Sequence, residues 1–187
     1  DLHYPLRRQR QMCIRDRAWE NDRAAYRAYG PALQEKGERA FGYDIWTKSV
    51  SEPVVEDRYD GDLNRGISYH VDHGNGMDCY AVGPTLGGGT AALFPDSTIV
   101  YPYCYKDCEI LDNGPLRFTA KLVYNPLVVK GDSSVIETRI ISLDKGSQLN
   151  KTVVSFDNLQ EITPVVTGIV LHLSLIHISE PTRLGMI

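Results

Sequence analysis

The sequence predicts a mainly β, antiparallel fold, and three observations carry that expectation. Residues alternate with period two through much of the second half, those runs are rich in β-branched side chains, and turn-forming clusters separate them.

The clearest run is Leu116, Phe118, Ala120, Leu122 and Tyr124, set against Arg117, Thr119, Lys121 and Val123. Successive side chains of a strand point to opposite faces, so this is a strand with one packed face and one mostly wet face. Val135 to Leu143 and Lys151 to Phe156 repeat the pattern. Lys130-Gly131-Asp132-Ser133 and Asp144-Lys145-Gly146-Ser147 are turn signals, which makes the set an antiparallel meander. Upstream, Asp112-Asn113-Gly114-Pro115 is a tight turn in which Asn-Gly readily takes positive φ. Trp19 to Tyr29 allows a helix by composition. The alternation of Ala25, Arg27 and Tyr29 against Tyr26 and Ala28 also permits a strand, and Gly30-Pro31 ends either one. Arg58 to Gly89, rich in Gly, Asp, Asn and His, is expected to be a long irregular segment, and such segments are often functional.

The two ends read differently. Gln11 to Asp16 can be encoded by CAG ATG TGT ATA AGA GAC, with AG opening the Arg17 codon, and the complementary strand encodes Leu173 to Ser179. One inverted repeat therefore accounts for both termini, and it resembles the transposase recognition end of sequencing libraries. Arg7 to Arg10 and Glu180 to Arg183 match the adjoining adapter arms. Residues 1–17 and 173–187 are thus expected to be adapter-encoded and non-native, and 18–172 to be an incomplete β-domain. On this reading the run Arg7, Arg8, Arg10, Arg15 and Arg17 is no nucleic-acid arm. Leu173 to Ile178 is too short to span a bilayer.

The terminal stretches hold six of the 20 Lys+Arg and three of the 24 Asp+Glu, which leaves 14 basic and 21 acidic side chains and a formal charge of −7. An acidic surface without a basic stripe disfavours nucleic acid held by charge. Cys79, Cys104 and Cys108 remain as ordinary buried or free thiols, with a Cys104–Cys108 bridge conceivable in an oxidising compartment.

Tyr69-His70-Val71-Asp72-His73-Gly74-Asn75-Gly76-Met77-Asp78-Cys79-Tyr80 is the densest chemical constellation. Two imidazoles and two carboxylates in a dozen positions suit acid–base work, a metal site, or a hydrogen-bonded structural loop. Cofactor and metal stay open on this evidence. The following Ala81 to Gly89 lacks the Gly-x-x-x-x-Gly-Lys-Ser/Thr phosphate-loop pattern and is better explained by close backbone packing or close approach of a ligand. Glu20, Asp22, Arg23 and Arg27, with Tyr26, Tyr29, Trp46, Tyr101, Tyr103 and Tyr105, form a group suited either to sugar binding or to core and rim packing.

Trp19 to Ala32, Gly42-Tyr43-Asp44-Ile45-Trp46-Thr47-Lys48, His70 to Gly89 and Leu111 to Pro115 occur in order and resemble the domain-of-unknown-function family four-eight-six-one. That resemblance implies an antiparallel β-sandwich, part of a galactose-mutarotase-like supersandwich, and favours a strand over Trp19 to Tyr29. It also implies a periplasmic or extracellular bacterial protein associated with polysaccharide breakdown, with carbohydrate as partner. In the context the resemblance implies, the first reading is a lyase or glycoside hydrolase acting on uronate-containing saccharide, with candidate groups named from residue chemistry. In it His70 or His73 moves a proton, Asp72 or Asp78 assists, Tyr80 is a second donor, and Arg23 or Arg27 neutralises a uronate. The alternative is a non-catalytic sugar-binding or structural sandwich whose loop shapes a groove.

Overall fold

The computed structural model describes residues 16–171 and is mainly β, with its strands in antiparallel sheets. The stretches 1–15 and 172–187, most of the two ends read as adapter-encoded, lie outside the described residues. Asp16 and Arg17 lie within them and open β1.

Strands β1 (Asp16–Glu20), β2 (Ala24–Tyr29) and β3 (Asp44–Thr47) form a three-stranded sheet in that order. A short helix α1 (Pro31–Glu35) follows β2, and α2 (Val55–Asn64) follows β3. Strand β4 (Gly88–Leu93) pairs with β10 (Val165–Ile169). Strands β5 (Tyr105–Asn113), β6 (Arg117–Tyr124), β7 (Leu127–Val129), β8 (Asp132–Asp144) and β9 (Lys151–Asp157) form the largest sheet. Its backbone is the 13-residue β8, which pairs with β7 and then β6 along one edge and with β9 along the other.

The expected meander is present. Phe118, Ala120, Leu122 and Tyr124 of β6 are buried in alternation, as the period of two requires. Leu116, expected to open that apolar face, is instead 70% exposed, because it lies in the turn before the strand. The β7–β8 hairpin turns at Lys130 (φ 49°) and Gly131 (φ 88°), two consecutive left-handed residues that match the twist of the flanking strands. The Asn113-Gly114 turn does join β5 to β6, but neither residue has positive φ. Gly114 N–H closes it on the Arg117 carbonyl at 3.0 Å.

Two expectations need correction. Trp19 to Tyr29 is a hairpin rather than one continuous element. Asn21 Oδ1 accepts from the backbone N–H groups of Arg23 and Ala24, and its side-chain amide reaches the Asp144 and Ser147 carbonyls. The hairpin tip is thereby pinned to the β8–β9 turn. Arg58 to Gly89 is not irregular throughout, since its first seven residues belong to α2. Glu56 and Asp57 in the first turn favour that helix electrostatically.

The three-stranded sheet is covered on both faces. Trp19, Tyr26 and Ala28 pack with Tyr105, Phe118, Leu122 and Ile141 to form the sandwich core. On the opposite face Ala18, Ala25 and Trp46 meet Val55, Tyr59 and Tyr69 from α2 and the following loop. Burial on both faces removes the hydrophobic alternation from β1 and β2, so their sequence is ambiguous.

Glu137 and Arg139 stand at inward positions of β8, both fully buried and paired to each other. The Arg139 guanidinium also lies 4.5 Å from the centre of the Tyr124 ring. Burial pushes the Glu137 carboxyl above its usual range, and Arg139 partly offsets this. Removing one partner strands a charge in the core. Arg139→Met is expected to destabilise the fold by about 3–5 kcal/mol in urea denaturation, with much of the loss recovered on adding Glu137→Leu.

Candidate functional site

The pairing register places Asp16, Ala18 and Glu20 of β1, Ala25, Arg27 and Tyr29 of β2, and Asp44 and Trp46 of β3 on one face of the small sheet. Arg27 lies directly opposite Asp44. Asp44 is completely buried and fully used. Its Oδ2 accepts from Arg27 Nη2 and from Trp46 Nε1 at 3.0 Å, while Oδ1 accepts from the Ile45 N–H at 2.8 Å.

A second carboxylate reaches the same guanidinium nitrogen from the loop after α2. Asp78 Oδ2 accepts from Arg27 Nη2 at 2.8 Å, and Asp16 lies 3.9 Å from Nη1. The backbone brings Asp78 there by bridging to Trp46 and by donating its N–H to the Tyr69 carbonyl at 2.9 Å. Burial and the neighbouring Asp44 charge push the Asp78 carboxyl up to about 6, although Arg27 and His70 pull the other way.

Asp78 in turn faces His70. The imidazole Nδ1 is 3.1 Å from the Asp78 carbonyl oxygen and 3.6 Å from its Oδ2. Both neighbours are acceptors, so Nδ1 carries the proton in the neutral ring and the lone pair falls on Nε2. The side chain is 61% exposed, and Nε2 has no protein partner among the described residues. His70 lines a cleft of about 740 Å³ together with Arg27, Tyr29, Tyr59 and Tyr69.

The remaining sequence candidates hold structure together. Asp72 Oδ1 accepts from the Gly74 and Gly76 N–H groups at 2.8 and 2.9 Å, and these bonds keep its carboxyl below the usual range. His73 Nε2 lies 3.0 Å from the Ser68 carbonyl. The Tyr80 hydroxyl is within 2.9 Å of the Gly87 and Val170 carbonyls. None of the three lines the cleft. Glu20 accepts from the Val54 and Val55 N–H groups at 3.0 Å and from Lys48 Nζ at 2.6 Å, and so caps α2 from a neighbouring strand. Arg23 is an exposed turn residue 3.8 Å from Asp22, well apart from Arg27 in role. Trp46 is buried beneath the cleft, stacked on Tyr69 with Arg27 at 5.0 Å.

Sequence reading passed over Asp44, Arg58 and the cleft-lining role of Tyr29. Asp44 alternates with Trp46, a signal that both face one side of a strand. Arg58 on α2 donates from Nη2 to the Thr47 and Asn75 carbonyls, clamping the His70 loop to β3. Gly76 fits only because it lacks a side chain. At φ +96° a Cβ would lie 2.2 Å from the Thr47 carbonyl oxygen. Close backbone packing also explains Gly87, where a Cβ would sit 2.6 Å from the Tyr43 carbonyl. Among the described residues there is no cluster of three or more His, Cys, Asp or Glu placed to hold a metal. Among the described residues Cys79, Cys104 and Cys108 form no disulfide, and no helix is long and apolar enough to cross a membrane.

Fold and site together define an antiparallel β-sandwich domain with a buried Arg–carboxylate cluster beneath an open cleft. The chain belongs to the family described as "Domain of unknown function (DUF4861)", whose model matches residues 3–181. It is similar to "Uncharacterized protein P7" of Formosa agariphila, with 30% identity over 165 residues, covering 84% of this chain and 40% of that protein. The chain thus spans about two fifths of that curated relative's length. No solved structure matches.

The Asp78 environment sets a pH dependence. Folding raises this carboxyl from 3.8 to about 6, so the native state binds the proton more tightly than the unfolded chain. Its contribution to stability is complete below the unfolded value and lost as pH rises through the native one. Denaturation midpoints of the parent are expected to fall relative to those of Asp78→Asn as pH goes from 4 to 6.5, and to run parallel above that.

Proposed function

We propose that this chain carries the acid–base site of a carbohydrate-active protein, a lyase or glycoside hydrolase for uronate-containing saccharides, with His70 as the proton-moving group. The observation that carries the reading is the His70 imidazole on the cleft wall, with Nδ1 turned to Asp78 and Nε2 unpartnered among the described residues. A base needs an accessible lone pair and a fixed tautomer, and this arrangement supplies both. Asp78 orients the ring, and Arg27 holds Asp78.

The cleft lining supports a sugar. Tyr29, Tyr59 and Tyr69 offer aromatic surface for C–H faces. Charges are segregated along the cleft: α2 contributes Glu56, Asp60 and Asp62, whereas the segment after α1 contributes Lys36 and Arg39 beside Glu38. A uronate carboxylate would meet Lys36 or Arg39. Arg27 already has its charge matched by Asp44 and Asp78. A galactose-mutarotase-like supersandwich and a periplasmic or extracellular location belong to the same reading.

A non-catalytic sugar-binding sandwich is favoured by a different observation. Asp72 and His73 spend polar atoms on the loop's own backbone, and the Tyr80 hydroxyl is taken up by the Gly87 and Val170 carbonyls. The two readings diverge on His70→Gln, which keeps a hydrogen-bonding side chain but removes the base. Incubation with uronate oligosaccharides, followed for new C=C absorbance and reducing ends, is expected to show turnover by the parent and a loss of about 10²-fold or more in the variant. Saccharide affinity that survives the substitution, with no product from either protein, would establish the binding reading instead.

A further inference from the structure

Tyr29 lines the same cleft as His70, and the two are linked through the buried cluster by contacts no longer than 3.6 Å. The Tyr29 hydroxyl is 3.3 Å from Arg27 Nη2, Arg27 Nη2 is 2.8 Å from Asp78 Oδ2, and Asp78 Oδ2 is 3.6 Å from His70 Nδ1. A base and a phenol thus share one opening and one rigid support. We infer that Tyr29 is the proton donor to the leaving oxygen in a β-elimination of a 4-linked uronate, with His70 as the base. This rests on the functional reading above and assigns it a reaction.

The assignment follows from comparing the tyrosines. Tyr80 has its hydroxyl against two backbone carbonyls away from the cleft lining. Tyr59 donates to Asp16 Oδ2 at 2.8 Å, which commits its proton. Tyr69 is placed by its ring, stacked on Trp46 with centroids 5.0 Å apart. Tyr59 also lies beside Arg27, but its proton is held by the short bond to Asp16, whereas both contacts of the Tyr29 hydroxyl, to Arg27 Nη2 and to Asp44 Oδ2, are a long 3.3 Å. Burial raises the phenol above its usual range, so it enters the reaction protonated. Arg27 then lies beside the phenolate that remains after the proton has left.

The step balances without a co-reactant. The C5 hydrogen, acidified by the adjoining carboxylate, leaves as a proton to His70 Nε2. Its electron pair forms the C4=C5 double bond, and the C4–O bond breaks with its electrons on oxygen. The Tyr29 hydroxyl proton goes to that oxygen. Imidazolium and phenolate return to their resting forms by exchange with water.

Tyr29→Phe removes the hydroxyl and keeps the ring that sits 5.1 Å from the Arg27 guanidinium. It should be assayed on two uronates, one bearing a sugar at O4 and one bearing 4-nitrophenolate, a leaving group that needs no proton. The expected result is a kcat about 10²-fold lower on the sugar-linked substrate with little change in KM, and near-parental turnover on the nitrophenolate. The second substrate also reports that the variant is folded. Equal losses on both, or no loss on either, would overturn the role of Tyr29 while His70→Gln still abolishes turnover. No unsaturated product from the parent on either substrate would overturn this inference; reducing ends released without it would leave the hydrolase form of the functional reading standing, and neither product would overturn that reading as well.

Discussion

Arg27 sits in the middle strand of a sheet buried on both faces, where a guanidinium left without partners would cost several kcal/mol. The strand register supplies Asp44 directly opposite, and a second carboxylate reaches the same nitrogen, Nη2. The second comes from Asp78, some fifty residues along the chain. The arrangement of the site depends on this requirement. Because Arg27 draws Asp78 inward, the loop that carries Asp78 must cross the sheet face, and His70 is set on the cleft wall eight residues earlier.

Two carboxylates on one nitrogen are in electrostatic conflict, and burial together with the Asp44 charge pushes the Asp78 carboxyl up to about 6. The surrounding loop is built to hold that conflict in place. Arg58 grips the Thr47 and Asn75 carbonyls, Asp72 folds the Gly74 to Gly76 turn, and Gly76 allows an approach to β3 that no side chain would permit. Glu20 extends the same logic to α2, anchoring its first N–H groups to β1 while Lys48 balances its charge. Residues with the look of a catalytic set thus divide into a small group at the cleft and a larger group that positions it.

That division bounds what the sequence can reveal. The β6 to β9 meander is legible because each strand has one packed face, as the alternation ending at Tyr124 shows. The β1–β2 hairpin is not, because burial on both faces erases alternation and the Asn21 turn takes its meaning from contacts with Asp144 and Ser147. In the site, His70, Asp78, Arg27 and Trp46 are recognisable by residue type, and the structure brings all four together. Their neighbours His73, Asp72 and Tyr80 have equally suitable chemistry. What separates the two sets is which atoms the backbone has already claimed, and only the folded chain decides that. Asp44 escaped notice for the complementary reason: its importance comes from facing Arg27 across two strands.

Held by Arg27, Asp78 fixes the His70 ring with its proton on Nδ1 and its lone pair on Nε2. Long-range ¹H–¹⁵N correlation spectra of the chain, recorded at a pH where the imidazole is neutral, read that tautomer directly. The expected result is the Nδ1–H form for His70 in the parent and a mixture of tautomers in Asp78→Ala. A dominant Nε2–H form in the parent would contradict it, since the ring would then have no basic nitrogen to offer the cleft.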